Sequence, residues 1–429
     1  MSDALISVLS STFISVELFL LDFVFYYPLF MAYLWMTGAI FYYYRFERRN
    51  IHIKVPPVLK EYPGVAIVVP CHNEEENVRD TIAQLLKQQY PDFEVIAIND
   101  GSSDSTLSIL TEMAGQDKRL RIINMISNQG KAIGLNTAAL LTEKEFMVCV
   151  DGDTILDEHA VAWFMQHFVY GPRVGAVTGN PRIRNRSTLL GKVQVGEFSS
   201  ILGLIKRAQR VYGRLFTVSG VISAFRKTAL HEVGYWSPEM LTEDIDISWK
   251  LQFKHWDIRY EPKALGWILM PETLSGLWKQ RTRWAMGGVQ ALLKFFPTLF
   301  SWRTRRMWVI YFEYVLSLIW AYAMLASIVL ALLSLFIPLP EIIRVPPLIP
   351  GWTGVVIGTT CLLQISISMR LDQEYDVGLW KVYFWMIWYP LLYWMLNMLT
   401  IVVAFPKVLA RGKDQRAVWI SPDRGIKEK

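Results

Sequence analysis

What most limits the folds open to this chain is where its apolar residues lie. They crowd the first ~44 residues and a stretch from about Trp308 to Phe405, and leave an ordinary soluble composition between them. Phe25 to Tyr44 runs for about 20 residues without a charge, long enough for a helix to cross a hydrocarbon core. It ends in Arg45, Arg48 and Arg49. Arginines gather at the cytoplasmic end of a span, so the segment that follows is expected in the cytoplasm. The earlier run Ala4 to Leu20 carries only Glu17 and reads as a further span or an interfacial helix. It lacks a basic leader and runs on into the next apolar stretch, so no cleavable signal peptide is expected. Beyond the soluble part, Trp308 to Phe336, Gly354 to Met369 and Val382 to Phe405 read as spans. Three crossings would leave the tail on the far side, against its Lys407, Arg411, Lys413 and Arg416. Pro390 allows a break that makes one of these segments re-entrant or interfacial.

A net charge of +6 raises the question of nucleic acid. The basic residues cluster beside the apolar runs, as in Arg303, Arg305 and Arg306, and form no stripe interleaved with aromatics in the soluble part. No nucleic-acid partner is expected. Cys71, Cys149 and Cys361 lack the close pair spacings of zinc or redox sites, and the histidines lack an i, i+4 metal pair.

From Gly64 the pattern alternates between short apolar runs and helical stripes. Val65 to Val69 reads as a strand buried on both faces, followed by a helix over Asn77 to Gln89. Glu94 to Ile98, a helix through Leu107, Leu110 and Met113, Arg121 to Met125, a helix from Gly130 to Leu141, and Phe146 to Val150 continue the series. The expectation is an α/β domain built on a parallel sheet, with ligands bound beyond the carboxyl ends of the strands. Pro70, Asn73 and Glu74 follow the first strand; Asp100, Gly101, Ser102 and Asp104 the second; Asp151, Gly152 and Asp153 the fourth. There is no G-x-G-x-x-G and no P-loop, so the common dinucleotide and triphosphate cradles are not supported.

Asp151-Gly152-Asp153 sets two carboxylates at the mouth of a buried strand, an oxygen-rich pair suited to Mg²⁺ or Mn²⁺ bridging a diphosphate. A lone D-x-D is more often an acidic turn or helix cap, and the strand context favours function here. Asp100 is placed to accept hydrogen bonds from a nucleoside, whereas Asp104 reads first as a helix cap. Lys131 starts a helix where an anion is favoured, or is a solvated lysine. Thr242-Glu243-Asp244 opens a helix, with Thr242 as cap; the functional reading makes Asp244 a general base for an acceptor hydroxyl. Gln280-Arg281-Thr282-Arg283-Trp284 reads as an amphipathic surface helix, or as a site where Arg283 meets diphosphate and Trp284 stacks on a sugar.

The order N-D-G-S-S-D, D-G-D, T-E-D and Q-R-T-R-W over Gly64 to Trp284, between spans, resembles the processive family 2 glycosyltransferases, the group of cellulose, chitin and hyaluronan synthases. Gly179-Asn180-Pro181-Arg182-Ile183-Arg184, Gln194-Val195-Gly196-Glu197-Phe198, Val218-Ser219-Gly220 and Trp419-Ile420-Ser421-Pro422-Asp423-Arg424-Gly425 narrow the resemblance to the bacterial poly-β-1,6-N-acetylglucosamine synthases of the PgaC type.

The resemblance implies a GT-A-type, Rossmann-like glycosyltransferase domain inserted between transmembrane α-helices. Its units would be a membrane region at 1–50 with one or two spans, the catalytic domain at 51–272, and interfacial helices at 273–306. A membrane region at 307–406 with two or three spans and a basic tail at 407–429 would complete it. It implies polymerisation of N-acetylglucosamine from UDP-GlcNAc, with translocation of the growing polysaccharide across a bacterial inner membrane. Asp244 would be the base, Asp153 the metal ligand, and Asp100 and Asp151 would read the UDP. Pro70, Asn73, Glu74, Lys131, Glu243, Gln280, Arg283 and Trp284 would complete the substrate site, and Val218-Ser219-Gly220 would line the acceptor path. A small membrane subunit resembling PgaD and regulation by cyclic-di-GMP are implied as well. A chitin or hyaluronan synthase is the neighbouring reading. A nucleotide-sensing transporter is the rival of another class, disfavoured because the runs after Trp308 hold few charges, chiefly Glu313.

Overall fold

The computed structural model describes residues 2–48, 55–338, 352–412 and 415–417, and says nothing of the side chains of residues 2–20, 387–388 and 390–391. In chain order the helices are α1 (Ser2–Tyr42), α2 (Val78–Leu85), α3 (Thr106–Gln116), α4 (Lys131–Leu141), α5 (Ala160–Val169), α6 (Leu189–Phe198) and α7 (Ile205–Tyr212). They continue as α8 (Lys227–Glu232), α9 (Glu243–Phe253), α10 (Leu274–Phe295), α11 (Trp308–Leu333), α12 (Trp352–Asp372) and α13 (Tyr389–Ala410). The strands are β1 (Val65–Cys71), β2 (Phe93–Asp100), β3 (Leu120–Met125), β4 (Phe146–Val150), β5 (Ile155–Leu156), β6 (Val174–Ile183), β7 (Ile222–Arg226) and β8 (Asp257–Ile268).

The eight strands of the described residues form one sheet in the order β3-β2-β1-β4-β7-β6-β8-β5. Side chains alternate across a strand, and β1 shows the result: Val65, Ile67 and Val69 enter one core with α2 and α5, while Ala66 and Val68 enter a second with α4 and α9. The expected parallel sheet holds for β3-β2-β1-β4. It fails beyond β4, because β7 pairs antiparallel with both β4 and β6, and β5 antiparallel with β8. The sheet is therefore mixed. The helix expected to reach Gln89 stops at Leu85.

Among the described residues, four helical stretches are long and apolar enough to cross a membrane: Leu21–Glu47, Trp302–Leu333, Trp352–Asp372 and Leu392–Ala410. The run Ala4 to Leu20 is no separate element, being continuous with the rest of α1. The run Val382 to Phe405 is not one span either. A 3₁₀ segment at Leu379–Trp388 packs beside α6 and gives way to α13 immediately before Pro390, where a missing N–H is tolerated in the first helical turn. Helix α13 then lies along α10, and its Val408 packs with Met240, Ile245 and Trp249 of the soluble domain. Past α13, Arg416 donates to the Gln129 side chain at 3.1 Å and the Ala417 N–H to the Pro238 carbonyl at 2.9 Å. The tail thus returns to the soluble domain, which removes the conflict between its basic residues and a third crossing. The motif Trp419 to Gly425 lies outside the described residues.

Candidate active site

The strand order explains how distant residues meet. Strand β7 runs antiparallel to β4 with Ile222 opposite Val150, so the residues entering β7 lie beside those leaving β4. Gly220 therefore sits next to Asp151, and Lys131, from the start of α4, joins them. Its ammonium donates to Asp151 Oδ1 at 2.6 Å and to the Gly220 carbonyl at 3.0 Å, and lies 3.1 Å from Glu243 Oε1. Lys131 is 8% exposed, and despite a burial that disfavours its charge, Asp151 and Glu243 hold its pKa above the ordinary lysine value. It is not a solvated lysine but a tie between two carboxylates.

Asp244 stands beside this tie. Its Oδ2 accepts the Gly220 N–H at 3.2 Å and its Oδ1 the Ile245 N–H at 3.0 Å. Burial and then the Glu243 charge push its carboxyl up to about 6, against the opposing pull of Lys131 and Arg283. Burial also pushes Glu243 upward, but Lys131, a backbone donor and Arg283 outweigh it and hold that carboxyl below its ordinary value. Two adjacent acids are thereby driven apart, the pattern of a site with separate acid–base tasks. Lys206, 3% exposed, braces the loop from behind, donating to Thr178 Oγ1 at 2.8 Å and Ser219 Oγ at 2.9 Å. Burial lowers its pKa to about 7, opposed by Asp244.

A family model described as glycosyltransferase-like family 2 matches residues 63–287, a segment that contains every one of these groups. The chain belongs to that family. A poly-β-1,6-N-acetyl-D-glucosamine synthase from Staphylococcus epidermidis is 39% identical over 417 residues, covering 94% of this chain and 98% of the relative. Its counterpart from Staphylococcus aureus strain COL is 38% identical over 408 residues, with the same coverage. Among solved structures, a mannosyltransferase from Pyrobaculum calidifontis in complex with GDP-Man and Mn²⁺ superposes with a TM-score of 0.62 at 19% identity, over 92% of this chain and 99% of that one. That likeness supports the GT-A-type fold.

The remaining candidate residues of this glycosyltransferase fall into distinct places. Asp100 is 3% exposed, and its two oxygens accept the Gln129 N–H at 2.7 Å and the Gly130 N–H at 2.9 Å, pinning the loop that feeds Lys131. Gly130 has φ 91°, a region few residues but glycine enter. Asp104 caps α3 through Thr106 N–H at 3.0 Å, as its structural reading expects. Asn73 is exposed with φ 55° and accepts the Ser103 N–H at 2.9 Å, and Glu74 is buried. A Cβ on Gly152 would lie 3.1 Å from Glu74 Cγ and 3.3 Å from the Pro70 carbonyl, so the D-G-D turn is seated on those two residues. Asp153 is 6% exposed.

Thr242 does not cap α9. Its hydroxyl makes no hydrogen bond among the described residues, because the side chain is pressed against Gly287 of α10. That contact, with Arg283 donating to the Leu241 carbonyl at 3.1 Å, brings the T-E-D and Q-R-T-R-W segments together. Arg283 is exposed and Gln280 half-buried. Trp284 is half-buried, with the Arg281 guanidinium 4.1 Å over its ring. Arg281 itself is buried against Glu197 at 2.9 Å. The sequence reading passed over Arg281, Glu197 and Lys206 as site residues. Glu197 stood in a motif quoted only for resemblance, and nothing in the polar string around Lys206 says that it is inside.

Among the described residues, no group of three or more His, Cys, Asp or Glu is arranged to hold a metal. Asp151 and Asp153 offer oxygen donors only, and one or two carboxylates are what a hard divalent ion needs when a diphosphate completes its shell. The donor set fits Mg²⁺ or Mn²⁺. The three cysteines are free, and burial pushes the Cys149 thiol up to about 12, which leaves it inert.

Proposed function

We propose that this family 2 glycosyltransferase transfers N-acetylglucosamine from UDP-GlcNAc to a growing β-1,6-linked chain, with inversion at the sugar carbon. The observation that carries the reading is Asp244, raised to about 6 and held beside the Lys131–Asp151–Glu243 cluster. A carboxylate tuned close to the working pH is suited to accept a proton from the acceptor's 6-hydroxyl as that oxygen attacks C1. The bond from C1 to the diphosphate breaks and UDP leaves. Arg283, exposed and close enough to depress Glu243, faces the departing negative charge. Asp153, with Asp151, would hold the divalent metal, which when bound neutralises the diphosphate. Asp100 holds the loop that shapes the nucleoside side, and Trp284 offers a ring face to the acceptor sugar.

Membrane embedding and a cytoplasmic catalytic domain fit Arg45 and Arg48 at the end of α1 and Arg303, Arg305 and Arg306 at the start of α11, both next to the soluble domain. A 150 Å³ cavity among α1, α11, α12 and α13, lined by Tyr27, Trp35, Trp320, Tyr389, Tyr393 and Asn397 among others, is a candidate start of the polymer's outward path. The relatives' names support N-acetylglucosamine and the β-1,6 linkage. A PgaD-like subunit and cyclic-di-GMP control complete the proposal. Membranes supplied with labelled UDP-GlcNAc and Mg²⁺ should yield a polymer digested by a β-1,6-specific hexosaminidase. A labelled polymer that resists the enzyme would replace this reading with a chitin- or hyaluronan-type synthase. Absence of UDP release would remove the transferase reading altogether.

A further inference from the structure

Between the end of α7 and the 3₁₀ turn at Trp302–Met307 that leads into α11 lies a 460 Å³ cleft lined by Arg214, His255, Asp257, Arg303, Arg305 and Arg306. Its charges do not balance. Among the described residues Asp257 is the only carboxylate in the lining, and it is already taken by Arg210 at 2.8 Å and Arg259 at 2.9 Å, neither of which lines the cleft. Arg214 Nε is buried and has no hydrogen-bond partner among the described residues. Burial, then the nearby Arg306 charge, disfavours its cationic form. A desolvated guanidinium facing other guanidinia with no free counter-charge is a costly arrangement that an anion would relieve.

We propose that this cleft binds the phosphate of an anionic lipid headgroup. Guanidinium forks match phosphate oxygens in geometry, which a lysine patch would not do. The neighbouring surface favours a lipid over a free anion: Phe296, Phe300 and Trp302, 51%, 78% and 68% exposed, project just before the apolar helix α11, as aromatic anchors do at a membrane interface. A soluble phosphate would satisfy the arginines and leave those rings in water. The inference rests on membrane embedding but not on which sugar is transferred.

The test uses the purified full-length protein in neutral detergent, titrated with phosphatidylglycerol, phosphatidylcholine or inorganic phosphate, with bound lipid counted by native mass spectrometry and thermal unfolding followed in parallel. Phosphatidylglycerol should bind and raise the unfolding temperature, while phosphatidylcholine and inorganic phosphate should not. Each of R214Q and R306Q should weaken that binding about fivefold, the effect of about one basic residue at a charged lipid surface. R303Q/R306Q alters only exposed side chains and keeps the test open should R214Q fail to fold. Equal binding of the two lipids, or unchanged phosphatidylglycerol binding in R303Q/R306Q, overturns the site. Displacement of phosphatidylglycerol by millimolar inorganic phosphate overturns the lipid assignment. Because the readout is binding, loss of sugar incorporation in any sample does not bear on it.

Discussion

Two of the buried charge clusters differ in how their members are paired. Glu47 in the helical turn Tyr43–Glu47 that follows α1, Arg207 of α7, Asp372 at the end of α12 and Arg182 of β6 form a neutral set. Arg207 meets Glu47 at 2.6 Å and Asp372 at 2.7 Å, and Arg182 meets Asp372 at 2.6 Å. Tyr375 adds a hydrogen bond to Glu47 at 3.1 Å. Each charge has an opposite partner, and the set ties the turn after α1, α7 and the end of α12 to the sheet. The cluster at the candidate active site instead sets Asp151, Glu243 and Asp244 around Lys131, with the buried Lys206 behind them, and Asp244 has no ion-pair partner of its own among the described residues. After burial, the Glu243 charge lifts the Asp244 carboxyl further, against the pull of Lys131 and Arg283. Balanced burial holds elements together; unbalanced burial leaves a group ready to exchange a proton.

The comparison breaks most sharply at Asp244. Asp244→Asn should lower sugar incorporation by at least about 100-fold at normal protein levels, since general-base catalysis is worth about that much or more. Incorporation at the native rate would remove Asp244 as base. The neutral cluster should respond in stability. Arg207→Leu strands Glu47 and Asp372 beside a single remaining arginine and should cost about 3–5 kcal/mol, read as a fall in thermal unfolding temperature. The folded fraction should keep the pH dependence of the native enzyme.

A pH series sharpens the contrast. Incorporation should fall as pH drops through about 6, where Asp244 takes up its proton. The folded carboxyl holds that proton to higher pH than the unfolded chain does, so its contribution to stability is full below 3.8 and is lost as pH rises through about 6. Activity and this part of stability thus run in opposite directions. Asp244→Asn should flatten the stability slope in that window, and Glu243→Gln, by removing the neighbouring negative charge, should move the acid limb of activity to lower pH. The smallest effect is expected at a pair that is not buried: Arg79 and Glu112 meet at 2.6 Å with both side chains half exposed. Arg79→Ala should leave the unfolding temperature unchanged within error.

Which parts of this could be read from the sequence follows from what each residue depends on. Strands β1, β2 and β4 pack on both faces, so each shows as a short apolar run, and the acids that follow them mark the ligand end of the sheet. Strand β8 alternates buried and half-exposed positions through Asp257-Ile258-Arg259-Tyr260, and no local signal says that it lies beside β6. Thr242 is a sound cap by its place before Glu243 and Asp244, yet a glycine on another helix draws its side chain away.

By itself the sequence determined the plan of long apolar helices on either side of an α/β domain, the parallel half of the sheet and the identity of Asp151, Asp153 and Asp244 as candidate acids, because these depend on neighbours a few residues apart. Only the tertiary structure decided that Lys131 is tied to Asp151 and Glu243, that the tail returns to the soluble domain, and that Lys206 and Arg207 are inside. In Ile205-Lys206-Arg207-Ala208-Gln209-Arg210 polarity alone points to water. The carboxylates and hydroxyls that make burial tolerable there come from Glu47, Thr178, Ser219 and Asp372, and no local pattern can assemble them.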